Sequence, residues 1–268
     1  MRMFQVDAFT DEVFSGNPAA VLVVEDWPSD GLLLSIAQEN NLSETAFARR
    51  RAGGSWDLRW FAPAHEVDFC GHATLATAHV LMAELGFTGP VHFHTRVGEL
   101  SVSRRDQGYA MDLPCLPPEP LSALPVDLAG LLDAPPSAMF RNFENLFVDL
   151  GSADAVRDFK PDQAAIARLS PAGLAVTGQG ASENGADFVS RYFAPGAGIP
   201  EDPVTGSIHA TLVPYWADRL CRAKLRAYQA SARGGWLGCE LIGDRVCLVG
   251  NAVTFMEATL RLPPVGQD

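Results

Sequence analysis

Two segments of the chain combine acidic residues, histidine and glycine in a way that suits acid–base chemistry on a small anion. DFCG at residues 68–71 leads directly into HATL at 72–75, and EDPVTG at 201–206 precedes a second HATL at 209–212. Each pattern predicts a loop that opens a helix. The first N–H groups of a helix have no internal partner, and the helix dipole adds about half a positive charge there. Such starts can bind a carboxylate, and we expect Gly71 and Gly206 to let the backbone approach it closely.

Glu44 and His72 are the candidate acid–base groups. Glu44 lies between a predicted helix and an apolar strand, where partial desolvation would raise its pKa toward that of a useful base. The alternative is a solvated loop glutamate. A helix-start position would lower the pKa of His72 and favour its neutral ring, which could donate to a substrate oxygen. The alternative is a histidine that only caps or packs.

The two aspartates of these segments have different predicted roles. Asp68 stands close to the start of the first helix, and we expect it to be an ordinary N-cap. Asp202 lies between Glu201 and Pro203, several residues before its helix, and this position is more typical of a site loop.

Cys70 could also be reactive, because a thiol at a helix start is acidified. A small packing residue is the alternative. The five cysteines form no CxxC pair, and an odd count in a chain of this length predicts reduced thiols in the cytoplasm. His92 and His94 share a strand face but have no further ligand in the pattern, so the sequence predicts no metal site.

Composition excludes several classes of protein. The 268 residues are 47% hydrophobic and carry a net charge of −12, which disfavours nucleic acid and anionic membranes as partners. Lys160 and Lys224 are the lysines, and neither stands in a phosphate-binding loop or in the surroundings of a Schiff-base lysine. No apolar stretch approaches the ~20 residues of a membrane span.

The pattern of elements predicts an α+β chain. Helices are expected over about 28–39, 73–85 and 206–220, the last bent by Pro214, with paired strands at 45–50 and 56–61. Four prolines within residues 114–120 predict a linker. The repeated HATL, at an offset of 137 residues, favours a duplicated lobe. We therefore expect lobes at 1–115 and 116–268, with a final strand at about 251–262 that returns to the first lobe.

Four motifs together resemble those of the PhzF-like (phenazine biosynthesis) family. They are FSGNPAA at 14–20, NLSET at 41–45, VDFCGHAT at 67–74 and EDPVTGS at 201–207, and the tail segments RGG at 233–235 and GDRV at 243–246 are also similar to that family. The resemblance implies a diaminopimelate-epimerase-like fold. In this fold two similar lobes each curl a mixed sheet around a central helix, and the active site lies in the cleft between them.

The resemblance also implies an activity. The family's known enzyme isomerises dihydro-hydroxyanthranilate without a metal or an organic cofactor, and it is expected to be a homodimer. Carried over to this sequence, the catalytic residues are Glu44, His72 and Asp202, with Glu44 moving a proton on a small carboxylate-bearing substrate. The substrate-binding residues are expected to be Asn17, Ser43, Gly71, Gly206 and Ser207.

Two other functions are open at the level of sequence. Related epimerases use two cysteines as thiol base and acid, and Cys70 occupies the position of one of them. The corresponding second loop carries Asp202 and no cysteine. A metabolite-binding protein without turnover is the other alternative, although binding alone does not need a base such as Glu44.

Overall fold

The computed structural model describes residues 1–106, 108–123, 130, 132, 134–180 and 185–262. The chain folds into two compact units, both discontinuous in sequence. The first comprises residues 1–14, 18–111 and those from 251 onward, and the second comprises 15–17 and 112–250. Among the helices of the described ranges, none has the length and apolar character needed to span a bilayer.

The first unit is built on a mixed sheet. Its strands are β1 (Arg2–Ala8), β2 (Asn17–Val24), β3 (Glu44–Arg50), β4 (Trp56–Phe61), β5 (Glu66–Val67), β6 (Val91–Thr95), β7 (Gly98–Arg105) and the start of β8 (Gly108–Pro114). Strand β3 runs parallel to β2 and antiparallel to β4, and β4 runs parallel to β6. The predicted hairpin of 45–50 with 56–61 is confirmed, with Ala46 opposite Trp60.

Helix α1 (Asp30–Asn40) positions the start of β3. The hydroxyl oxygen of Ser29 accepts the N–H of Leu32, which caps the helix at its N-terminus. Asn41 adopts a left-handed conformation (φ 49°) and donates its N–H to the carbonyl of Ala37. Asparagine tolerates this conformation, so the helix ends sharply and the chain enters β3 three residues later.

Helix α2 (Gly71–His79) is the buried helix of the first unit, and all nine of its residues are buried. It contacts β1, β3 and β7. The hydroxyl groups of Thr74 and Thr77 donate to carbonyls one turn back, at 2.6 and 2.7 Å, so threonine is tolerated in this apolar setting. The predicted helix of 73–85 is real, but residues Val80–Glu84 are a π-helical turn that ends just before Gly86 (φ 70°).

The second unit also contains a mixed sheet. Its strands are β9 (Glu119–Pro120), β10 (Ala138–Arg141), β11 (Asn145–Ser152), β12 (Gly173–Gln179), β13 (Phe188–Ala194), β14 (Ile199–Asp202), β15 (Lys224–Gln229), β16 (Gly235–Ile242) and β17 (Arg245–Gly250). Strand β12 is parallel to β11 and antiparallel to β13, while β15 is parallel to β13. Short helices α3 (Ala153–Asp158) and α4 (Gln163–Ala167) and a 3₁₀ turn (Pro195–Ala197) complete its outer layer.

Helix α5 (His209–Leu220) packs against β15, β16 and β17 and contains Pro214, as predicted. It begins three residues later than expected. The N–H of His209 bonds to the carbonyl of Gly206, and that of Ala210 bonds to Ser207, both at 3.1 Å. These bonds span three residues, so 206–208 form a tight turn before the α-helix proper.

The last described strand, β18 (Ala252–Thr259), pairs antiparallel with β1 along its whole length, from Arg2 opposite Thr259 to Ala8 opposite Ala252. This strand belongs to the first unit. The first unit is therefore assembled from both ends of the chain.

Candidate functional site

Glu44 is the first residue of β3, opposite Ala19 of the parallel strand β2. Its side chain is buried, with 8% of the residue exposed. The alternative of a solvated loop glutamate is therefore wrong, because the turn at Asn41 delivers the chain into the sheet just before this residue. Ser43, one residue earlier, is half-buried.

His72 lies within reach of Glu44. It is the second residue of α2, is buried, and places Nε2 at 3.2 Å from Oε2 of Glu44. Burial lowers the pKa of His72 to about 3. The direction agrees with the expectation, but the cause is desolvation. At neutral pH the ring is uncharged, with one N–H to donate and one lone pair to accept.

Cys70 contacts the other nitrogen of the same ring. It occupies the N-cap position of α2 and is buried, and its Sγ lies 3.5 Å from Nδ1 of His72. The sequence left this thiol open as the base of an epimerase or as a small packing residue, and the structure places it in direct contact with His72. Gly71 is the first residue of α2, between Cys70 and His72.

Asp68 is not the N-cap of α2, contrary to the prediction. Its side chain is 76% exposed, and a carboxylate oxygen lies 3.6 Å from Nη1 of Arg96. The helix begins only at Gly71, so Cys70 takes the cap position and makes no side-chain capping bond. Asp68 is two residues too far from the helix to reach its N–H groups.

Asp202 is the centre of a polar cluster in the second unit. It ends β14, is 6% exposed, and accepts hydrogen bonds from Nδ2 of Asn17 at 2.8 Å and from the hydroxyl of Thr205. Burial raises its pKa to about 6, and the two hydrogen bonds partly oppose that rise. A carboxyl group with this pKa can exchange a proton close to neutral pH.

Gln229 was missed by sequence reasoning. It ends β15 and is fully buried. Its Oε1 accepts the N–H of Thr205 and its Nε2 donates to the carbonyl of Asp202, both at 2.8 Å. The side chain thus fixes both ends of the loop from 202 to 205. A lone glutamine at the end of a strand gives no signal of this role in the sequence.

Arg233 and Gly234 hold the short segment of residues 15–17 in the second unit. The guanidinium of Arg233 donates to the carbonyls of Ser15 and Gly16 at 2.9 and 2.8 Å. The N–H of Gly16 donates to the carbonyl of Gly234 at 2.8 Å. These contacts place Asn17, whose amide also donates to the carbonyl of Val204 at 2.8 Å. The RGG motif therefore has a structural role that its sequence did not reveal.

His209 matches His72 in the HATL repeat but has different surroundings. Its Nδ1 donates to the carbonyl of Thr205 at 2.8 Å, and its ring lies 5.9 Å from that of Phe188. Burial lowers its pKa to about 4. The structure thus brings the predicted site residues together as two sets. Glu44, His72 and Cys70 meet in the first unit, and Asn17 and Asp202 meet in the second, close in sequence to Gly206 and Ser207.

Comparison with known proteins shows the family to which the chain belongs. The model of the phenazine biosynthesis-like protein family (PhzC-PhzF) matches residues 6–258. An uncharacterised isomerase of Pseudomonas aeruginosa is 46% identical over 263 residues, covering 98% of this chain and 99% of the relative.

Solved structures agree with the sequence comparison. A PhzF-family phenazine biosynthesis protein from Enterococcus faecalis superimposes with a TM-score of 0.92 at 42% identity, covering 97% of this chain and 99% of its own. A probable proline racemase from Agrobacterium radiobacter, at 13% identity and a TM-score of 0.62, shares the fold. The predicted α+β, epimerase-like fold is confirmed. The chain belongs to the phenazine biosynthesis-like (PhzF) family and is an isomerase.

Proposed function

We propose that this isomerase moves a proton between two carbons of a small carboxylate-bearing metabolite, without a cofactor, and that Glu44 carries the proton. One observation supports this assignment above the others. A buried carboxylate at the start of β3 lies 3.2 Å from the ring of a buried histidine. Carboxylates that only solubilise a surface are not placed in this way.

The low pKa of His72 supports Glu44 as the base of this pair. Because burial lowers the pKa of His72 to about 3, its ring is uncharged at neutral pH and is a weak base. Glu44 is therefore proposed as the base, and the neutral imidazole beside it donates an N–H to a substrate oxygen. The carboxylate of Glu44 takes a proton from an activated carbon, and the conjugated system keeps the electron pair. The protonated Glu44 exchanges this proton with solvent and then delivers a proton to a different carbon, which restores the carboxylate.

The remaining predicted residues have supporting roles in this proposal. The substrate carboxylate is bound by the N–H groups at the start of α2, around Gly71, where the helix dipole is favourable. Ser43, Gly206 and Ser207 are proposed as further substrate contacts. Asp202, with a pKa of about 6, is proposed as a second group that exchanges a proton with the substrate. Asn17 is a positioning residue in this proposal, since its amide donates to Asp202.

Incorporation of solvent deuterium tests the role of Glu44. Wild type and Glu44→Gln are incubated in heavy water with dihydro-hydroxyanthranilate and a panel of small carboxylic acids, and label is read by mass spectrometry. We expect Glu44→Gln to reduce label incorporation by ~10²–10⁴-fold, the usual contribution of general acid–base catalysis. Glu39→Gln is the matched control, because Glu39 is an exposed residue of α1. Near-normal labelling by Glu44→Gln would remove Glu44 from the mechanism.

Epimerisation with Cys70 as the base is a second candidate, favoured by the 3.5 Å contact between its Sγ and Nδ1 of His72. Here the label enters at a stereocentre and no double bond moves. Cys70→Ala separates the two candidates. The isomerase proposal expects labelling within about twofold of wild type, whereas an epimerase that uses this thiol loses ~10²-fold or more.

The homodimeric state and the cytoplasmic location stay predictions, as does the identity of the substrate. If no compound of the panel is labelled by wild type, the alternative of a metabolite-binding protein gains support. Thermal shift with the same panel then identifies a ligand.

A further inference from the structure

Three side chains of the first unit bring three different metal-ligand types to one buried point. Glu44 offers a carboxylate oxygen, Cys70 a sulfur and His72 an imidazole nitrogen. Their ligand atoms all lie within 4.8 Å of one another, and all three residues are buried. We refer to these residues as the Glu44–Cys70–His72 cluster. The isomerase chemistry proposed above gives this cluster no role in metal binding.

The distances in the cluster resemble the edges of a zinc coordination tetrahedron. Zinc binds sulfur at about 2.3 Å and nitrogen or carboxylate oxygen at about 2.0–2.2 Å. Tetrahedral angles then put nitrogen and oxygen ligands about 3.3 Å apart and sulfur and nitrogen ligands about 3.6 Å apart. In the cluster, Nε2 of His72 lies 3.2 Å from Oε2 of Glu44 and 3.9 Å from Sγ of Cys70. The ligand atoms of Cys70 and Glu44 lie within 4.8 Å of each other, against about 3.6 Å in a zinc tetrahedron, so these two side chains must close around the ion on binding.

We propose that the Glu44–Cys70–His72 cluster is a binding site for Zn²⁺ and similar soft divalent ions, with the fourth position taken by water. In a site with three protein ligands, the fourth ligand is exchangeable. Small molecules can then reach the bound metal ion. On binding, the thiol of Cys70 releases its proton to the buffer as the metal–sulfur bond forms. The thiolate and the carboxylate together neutralise the charge of the ion.

The mixed ligand set also determines which ions fit. Sulfur and imidazole favour Zn²⁺, Co²⁺ and Cd²⁺, whereas Mg²⁺ and Ca²⁺ prefer shells made of oxygen alone. We therefore expect millimolar Mg²⁺ to leave zinc binding unchanged. The bound ion would engage Glu44 and His72 and so prevent them from moving a proton. This consequence rests on the proposed function, but the binding itself does not.

Cobalt provides a readout that is independent of activity. Reduced wild-type protein, kept free of oxygen and substrate, is titrated with Co²⁺, and the near-ultraviolet absorption that a thiolate–cobalt bond produces is recorded. Competition between Zn²⁺ and a chromophoric chelator gives stoichiometry and affinity. We expect one ion per chain. Glu44→Gln should bind more than about tenfold more weakly, and Cys70→Ala should lose the thiolate band.

Two control variants separate the cluster from adventitious binding. Cys221→Ser removes an exposed thiol outside the cluster, and Glu39→Gln removes an exposed carboxylate, so both should behave as wild type. The proposal is overturned if wild type shows no thiolate band, if the band persists in Cys70→Ala, or if it disappears in Cys221→Ser. Circular dichroism of each variant confirms that it is folded. Because no substrate is present, failure of metal binding leaves the isomerase proposal untouched.

Discussion

Replacing Asp202 by asparagine should change how the stability of this protein depends on pH. Burial raises the pKa of Asp202 from its ordinary value of 3.8 to about 6. Between these values the folded state keeps a proton that the unfolded chain has lost, so folding is favoured by proton uptake. The stability contributed by the protonated group is fully present below about pH 4 and is lost as the pH rises through about 6.

The magnitude follows from the two pKa values. A difference of about two pKa units corresponds to about 3 kcal/mol of unfolding free energy, of which about 2 kcal/mol is lost between pH 4 and pH 7. Asp202→Asn has no proton to lose. The unfolding free energy of the variant minus that of wild type should therefore increase by about 2 kcal/mol from pH 4 to pH 7, whatever the difference is at pH 4.

Urea unfolding at half-unit steps from pH 4 to pH 7.5 measures this difference. Asp154→Asn is the matched control, because it removes a carboxylate of the same unit whose side chain is 88% exposed. NMR of protein with ¹³C-labelled aspartate carboxyls gives the pKa of Asp202 directly, from the resonance that the variant lacks. A flat difference between pH 4 and pH 7 would refute the claim that burial dominates the environment of this carboxyl group.

Two further outcomes are expected. Asn17→Ala removes the amide that donates to Asp202 and to the carbonyl of Val204. The unfolding free energy at pH 7, measured with urea, should therefore fall by about 2–3 kcal/mol. A fall of less than about 0.5 kcal/mol would show that water replaces the amide at no cost. Zn²⁺ should stop deuterium incorporation by wild type, and a chelator should restore it, because the bound ion engages Glu44. Undiminished labelling at saturating Zn²⁺ would show that zinc does not bind at the residues that move the proton.

The sequence singles out candidate site residues by type and motif, but it does not predict their contacts. Glu44 and His72 were recognised by residue type and by their motifs, yet their 3.2 Å separation depends on where β3 and α2 begin. Those starts are set by the turn at Asn41 and by the packing of a fully buried helix. The error at Asp68 has the same origin, because the helix starts two residues too late for that carboxylate to cap it.

The repeated HATL shows why local pattern is not sufficient. His72 lies beside Glu44 and Cys70, whereas His209 donates to a carbonyl of its own loop. The two histidines have different surroundings because other parts of the chain supply their neighbours. Gln229 was missed for the same reason, since its place next to the 202–205 loop results from the parallel pairing of β15 with β13, where it lies opposite Ser190. Such long-range pairing has no local sequence signal.

The pairing of β1 with β18 has a consequence for synthesis of the chain. Strand β1 pairs with β2 on one side and β18 on the other, and the partners Arg2 and Thr259 are separated by nearly the whole sequence. A ribosome therefore releases the first strand long before its second neighbour exists. Until residues 252–259 emerge, one edge of β1 can pair with another nascent chain. Products that terminate between residues 213 and 251 should aggregate even though they contain both HATL segments.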